Sequence, residues 1–213
     1  MGYERPELPA SVYVDEDGAP IEYGRRWGVN GPPEDAYSRT SNLDRFAGLH
    51  TVARAVIEWL RTVFDVEVET GPQVVADLLL QPGDPIHSVR LTPRSTESAT
   101  LTFVLTSFPG VYLHAGVLHD FHFPVCGCDA CDDDVLSLAD ELEWTVRMVV
   151  TGRYSESVEP HASGWLGYRL EEPGVRTNSG QSRTDEVPVE RLERARHLAP
   201  ADGLWHPWPA LAR

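Results

Sequence analysis

The chain has 213 residues, 33 acidic against 18 basic, and a formal charge of −15. That length supports one sizeable core, burying roughly 70% of the unfolded surface, so no metal is needed merely to hold a core together. The charge disfavours nucleic acid and anionic membrane as partners, and no apolar run approaches the roughly 18 residues of a membrane span.

No basic, then apolar, secretory leader is visible at Met1-Gly-Tyr-Glu-Arg, so the cytoplasm is the expected compartment. Every cation is arginine and none is lysine, which points to a GC-rich bacterial coding sequence.

Taken in chain order, residues 1–41 are rich in proline, glycine and acid and are predicted to wrap the core. Within them, Val12-Tyr-Val14 and Ile21-Glu-Tyr23 flank Asp15-Glu-Asp-Gly18, the pattern of a small hairpin. After Ser41 or Asn42 as N-cap, Phe46, Leu49, Ala53, Val56, Ile57, Leu60, Val63 and Phe64 recur at three- and four-residue intervals, one face of a long amphipathic helix. Val66 and Val68 alternate with acids as a brief strand. Gly71-Pro72 then opens a short helix through Leu80, with proline in the first turn.

Three strands are predicted next, at His87–Thr92, Thr100–Ser107 and Val111–Leu118. Leu101, Phe103 and Leu105 share one face of the second, and Val111, Leu113, Ala115 and Val117 one face of the third. Both faces reach the same core only if paired residues have an even index sum, for example Leu105 opposite Leu113. That parity requires an odd loop such as Phe108-Pro109-Gly110, with glycine at positive φ. A second helical stripe, Val135, Leu138, Ala139, Leu142, Val146 and Val149, stops at Gly152.

Gly164–Leu170 reads as a strand, and residues 171–186, rich in Gly, Ser, Thr and Asn, as a mobile loop. Val189, Leu192 and Ala195 mark a last short helix, with Glu190 and Arg194 spaced to pair. Trp205 and Trp208 in the tail are predicted to tuck over an apolar groove rather than to form a partner motif. The fold class is α+β in a single domain, 1–213: an antiparallel sheet packed against two longer amphipathic helices, with a zinc-pinned loop.

That loop carries the chemistry. Cys126, Cys128 and Cys131 are the chain's three cysteines and follow His119-Asp-Phe-His122 directly. Such clustered soft ligands suit a tetrahedral ion, zinc above all. Gly127 permits the reversal that lets two sulfurs face one centre, and the Cys128-x-x-Cys131 gap is that of zinc knuckles. The fourth ligand is expected to be His122, with His119 as the alternative and His114 further back. Reduced core cysteines are a rival reading, and a thiol–disulfide pair at Cys128 and Cys131 is another. A redox pair usually starts its helix with the first cysteine, whereas here the stripe begins after the last. A catalytic zinc would need an open position and a proton carrier such as His119 or Asp120. No His-x-Glu is present to match the zinc deaminases.

The string Leu118-His-Asp-Phe-His-Phe-Pro-Val-Cys-Gly-Cys-Asp-Ala-Cys-Asp132, together with Tyr23-Gly-Arg-Arg-Trp-Gly28 and Pro32-Pro-Glu-Asp-Ala-Tyr37, resembles an uncharacterised actinobacterial domain-of-unknown-function family carrying an HDFxFPxCGCDACD segment. The likeness spans about residues 3–152. It implies a bacterial cytoplasmic protein and supplies no catalytic residues.

The functional expectation is therefore a non-enzymatic domain with structural zinc, presenting an acidic face to a protein partner as an interaction or regulatory module. A small enzyme is the alternative, using either an open zinc position or a pocket lined by His114 and Tyr112. An acidic neutraliser of a basic toxin is a third. Arg25-Arg26-Trp27 and His50 are read as structural.

Overall fold

The computed structural model describes residues 2–158 and 164–212. It is α+β. A five-stranded antiparallel sheet carries two long helices on one face, a three-stranded sheet continues the core, and a two-stranded hairpin decorates the N-terminal segment. That hairpin, β1 (Tyr13–Val14) with β2 (Pro20–Ile21), pairs Tyr13 with Ile21, as the flanking apolar residues predict.

Helix α1 (Gly48–Val63) buries Leu49, Val52, Ala53, Val56, Ile57 and Leu60, the predicted face. Its start differs from expectation. Residues Leu43–Phe46 form a separate 3₁₀ turn, Asn42 is left-handed at φ 50° without a side-chain cap, and α1 begins only at Gly48. Ser41 is not a cap either, because its hydroxyl and its N–H are both spent on Asp129.

The main sheet is a meander of neighbours in sequence: β3 (Val66–Thr70), β4 (Pro85–Pro93), β5 (Leu101–Thr106), β6 (Val111–Ala115) and β7 (His119–Phe123). Strand β5 is central and buried on both faces, which fits its unbroken Leu-Thr-Phe-Val-Leu-Thr run. Its pairing with β6 has the predicted parity, with Leu105 opposite Val111 and Phe103 opposite Leu113. The register is shifted from Leu105–Leu113. Thr106 N–H donates to Gly110 O at 3.2 Å, so the three-residue loop is 107–109, and Gly110 is not at positive φ. The predicted helix through Leu80 is a 3₁₀ turn at Pro72–Asp77.

Three elements, β7 and the strands at Tyr154–Val158 and Arg176–Arg183, were illegible as strands. Strand β7 occupies residues read as ligands; His119, Phe121 and Phe123 are buried while Asp120 and His122 are half-buried, the alternation of a strand. After α2 (Val135–Val150), β8 (Tyr154–Val158) pairs with β9 (Trp165–Glu172), and β9 with β10 (Arg176–Arg183). The expected loop at 171–186 is thus largely corrected to strand, in register from Arg176 opposite Glu172 to Arg183 opposite Trp165. Gly180 within it has a packing reason: a Cβ there would sit 2.6 Å from the Tyr168 ring.

Helices α1 and α2 bury their stripes against Val89, Leu91, Leu101, Phe103, Leu105, Val111, Leu113 and Phe121 of the sheet. The opposite face meets Val75 and Leu78 of the 3₁₀ segment, packed on Val104 and Tyr112. Helix α3 (Val189–Leu198) buries Leu192 and Ala195 with Leu118, Leu166 and Val187. Among the described residues the expected Glu190–Arg194 pair is not formed. Trp205 and Trp208 are both 4% exposed and complete the core, as the groove reading predicts.

Candidate metal centre

Beyond the end of β7 the chain must reverse before entering α2. Gly127 makes the reversal at φ +84°, and a Cβ there would meet the Phe108 ring at 2.7 Å, so both the conformation and the space require glycine. A 3₁₀ turn at Asp129–Cys131 follows, Asp132 is left-handed at φ 54°, and Asp134 caps α2 by accepting the N–H groups of Leu136 and Ser137 at 3.0 Å each.

The wrapping N-terminal segment holds this loop. Buried Asp129 accepts Ser41 N–H at 2.8 Å and Ser41 O–H at 2.7 Å, and its own N–H donates to Arg39 O at 2.8 Å. Trp27 Nε1–H donates to Asp129 O at 3.1 Å. Burial opposes the charge on Asp129, but Ser41, Arg26 and Arg45 prevail and keep its pKa below the ordinary carboxylate value. Arg45, 5% exposed, donates to Gly127 O at 3.1 Å and to Ser41 O while stacking on Tyr23 and Phe46. Gly24 N–H donates to Asp132 O at 2.8 Å, and Arg26 N–H to an Asp132 carboxylate oxygen at 2.7 Å.

On this frame the sulfurs of Cys126, Cys128 and Cys131 all lie within 4.8 Å of one another, with Cys128 and Cys131 at 3.5 Å and no disulfide formed. A tetrahedral ion with Zn–S bonds of about 2.3 Å needs sulfurs about 3.8 Å apart, so the cluster is close to the size a metal requires. Cys128 is buried, whereas Cys126 and Cys131 are exposed. The backbone N–H of Cys131, ahead of the neighbouring thiols, lowers the Cys128 pKa against the cost of burial. Desolvation, then the hydrogen bonds and charges of the other two sulfurs, pushes Cys131 up to about 12. Three sulfurs at this separation repel one another as thiolates, and a divalent cation is the chemical species that relieves this.

The histidines do not join them. Strand β7 places His119 and His122 on opposite faces of the sheet, while the cysteines lie past its end. His122 stacks on Tyr112 with ring centres 4.3 Å apart, and its buried Nε2 has no hydrogen-bond partner among the described residues. His119 turns to the core, 4.9 Å from the Tyr168 ring. The cysteine trio thus stands without His122 or the alternative His119. His114 and Tyr112, expected to line one pocket, share the sheet face away from the long helices, but only His114 lines the cavity there, while Tyr112 packs in the Val75–Leu78 cluster. Arg45, Ser41 and Asp129 were not legible as loop anchors. The Asp inside Cys-Asp-Ala-Cys was a weak signal, since an acid between thiols is costly unless it is held elsewhere.

Comparison with curated proteins and with solved structures finds no match. A model of a family of unknown function, DUF6226, matches residues 9–212, and the chain belongs to that family.

Proposed function

We propose that Cys126, Cys128 and Cys131 together bind one zinc ion, and that the metal braces a surface loop through which the domain engages a protein partner. The convergence of three unbridged sulfurs within 4.8 Å carries the reading. The exposure of two of them, beside Val125 at 84% exposure, supports a site at the surface rather than one sealed in the core. With both β7 histidines directed elsewhere, the fourth position falls to water or to a group brought by the partner.

Elemental analysis of the purified protein and of Cys128→Ser tests this. The expected result is one zinc per wild-type chain and its loss from the variant, with a thiolate-to-cobalt charge-transfer band when cobalt replaces zinc. Metal-free wild type that fails to take up added zinc or cobalt, or a Cys128→Ser protein that retains full metal, would overturn the proposal. Because the N-terminal segment fastens this loop independently, metal loss is expected to loosen residues 125–133 rather than unfold the domain.

A further inference from the structure

On the sheet face away from α1 and α2, β6 and β7 set His114 directly opposite Asp120. The His114 Nδ1 to Asp120 Oδ1 distance is 2.7 Å, with the two side chains 4% and 6% exposed. The other carboxylate oxygen of Asp120 accepts the backbone N–H groups of Leu79 and Leu80 at 2.7 and 3.1 Å. Asp120 is therefore fixed from two sides and holds the imidazole in one orientation, leaving Nε2 for the cavity that His114 lines.

That cavity has a volume of about 300 Å³, the lower end of the range for small-molecule sites. Three arginines line it against a single carboxylate among the described lining residues, Asp77. Arg90 is neutralised by Asp77, at 2.5 and 2.6 Å, and by Glu69. The two arginines of α3 are not neutralised in this way. Arg191 donates to the main-chain carbonyls of Ala76, Asp77 and Leu78, which orient the guanidinium without cancelling its charge. Arg194, one turn on, makes no ion pair among the described residues. Arg194, without a carboxylate partner among the described residues, and Arg191, held by carbonyls with Asp120 and Asp77 nearby, thus stand beside a clamped histidine in a chain of net charge −15.

We infer that this cavity is a binding site for a small oxyanion-bearing molecule, a phosphate or a carboxylate. Arg194 and Arg191 take its charged end and His114 Nε2 makes a polar contact at the inner wall. Guanidinium groups match both headgroups. The site is separate from the cysteine loop and stands whether or not that loop holds zinc.

Thermal melts of the full chain with inorganic phosphate, sulfate or succinate, at matched ionic strength, test it. Arg194→Gln removes the exposed cation with little risk to folding. Arg196→Gln removes an exposed cation of the same helix that does not line the cavity. The expected result is stabilisation of wild type and Arg196→Gln by at least one of these anions, the stronger one naming the headgroup. Arg194→Gln should bind at least ~10-fold more weakly, the loss of one charge-assisted hydrogen bond. The His114 ring signals should shift on titration in nuclear magnetic resonance spectra. No stabilisation of wild type by any of the three anions, or the same response in Arg194→Gln as in Arg196→Gln, would overturn the inference.

Discussion

The indole N–H of Trp205 donates to the buried carboxylate of Glu156 at 2.9 Å, joining the segment after α3 to the middle of β8. The same carboxylate accepts the N–H groups of Val117 and Leu118 and the Tyr154 hydroxyl. Burial raises the Glu156 pKa, and these donors work against that rise. Four donors directed at one carboxylate make it the polar knot between both sheets and the tail.

Glu156→Gln sets an amide NH₂ against those donors and is expected to cost roughly 3 kcal/mol. Trp205→Phe, which removes one donor, should cost about half of that. Urea denaturation of both variants would measure this. Equal stability of Glu156→Gln and wild type would show that the knot contributes little.

Gly116 lies at φ +67°, and a Cβ there would stand 2.3 Å from a Glu156 carboxylate oxygen. Gly116→Ala combines backbone strain with a displaced buried acid, and a loss of at least about 2 kcal/mol is expected. Gly174→Ala serves as a control, since it shares the left-handed conformation at φ +73° with open space around it; its melting temperature should fall by much less.

His119 gives the stability curve a defined pH dependence. Burial is the main cause that lowers its pKa from 6.5 to about 4, despite a hydrogen bond to the Gly167 backbone. Between those values the unfolded chain binds a proton that the native chain refuses, so this contribution is complete above about pH 6.5 and declines as pH falls toward 4. The expected loss at pH 5 is roughly 2 kcal/mol. Denaturation of wild type and His119→Phe at pH 7 and pH 5 should show a smaller drop for the variant; parallel drops would count against the assignment.

Arg45 is expected to hold the cysteine loop closed. Arg45→Met keeps much of the side chain's bulk but loses the bonds to Gly127 and Ser41, and the buried Cys128 thiol of the metal-free protein should then react with a thiol reagent at least ~10-fold faster, corresponding to about 1.4 kcal/mol of lost protection. An unchanged labelling rate would place the loop's rigidity elsewhere.

Much of the fold was legible because α1, α2 and the β5–β6 pair carry strong periodicities, and the parity rule survived even where the register moved. Strands β7, β8 and β10 were not legible, β7 and β10 for opposite reasons. In β7 the alternating positions are filled by histidine and aspartate, which compete for a chemical reading. In β10 the residues are mostly small and polar, every second one is exposed, and Gly180 leaves room for the Tyr168 ring of the neighbouring strand. The same residues bear on the expected fourth ligand: spacing along a loop brings His122 near Cys126, whereas spacing along a strand turns it to the Tyr112 side. The cysteine trio itself was visible, since a six-residue window limits how far its sulfurs can separate.

The two tail indoles have a consequence for how the molecule matures. Trp208 Nε1–H donates to Ala99 O at 2.8 Å, while the backbone of this stretch bonds to Tyr154, Val150 and Asp65. A nascent chain halted at residue 203 would leave the hollow for both rings unfilled and the Glu156 carboxylate short of a donor. The central layer is thus closed by residues that follow, in chain order, every helix and strand they cover, and a truncation before residue 204 would open it to water.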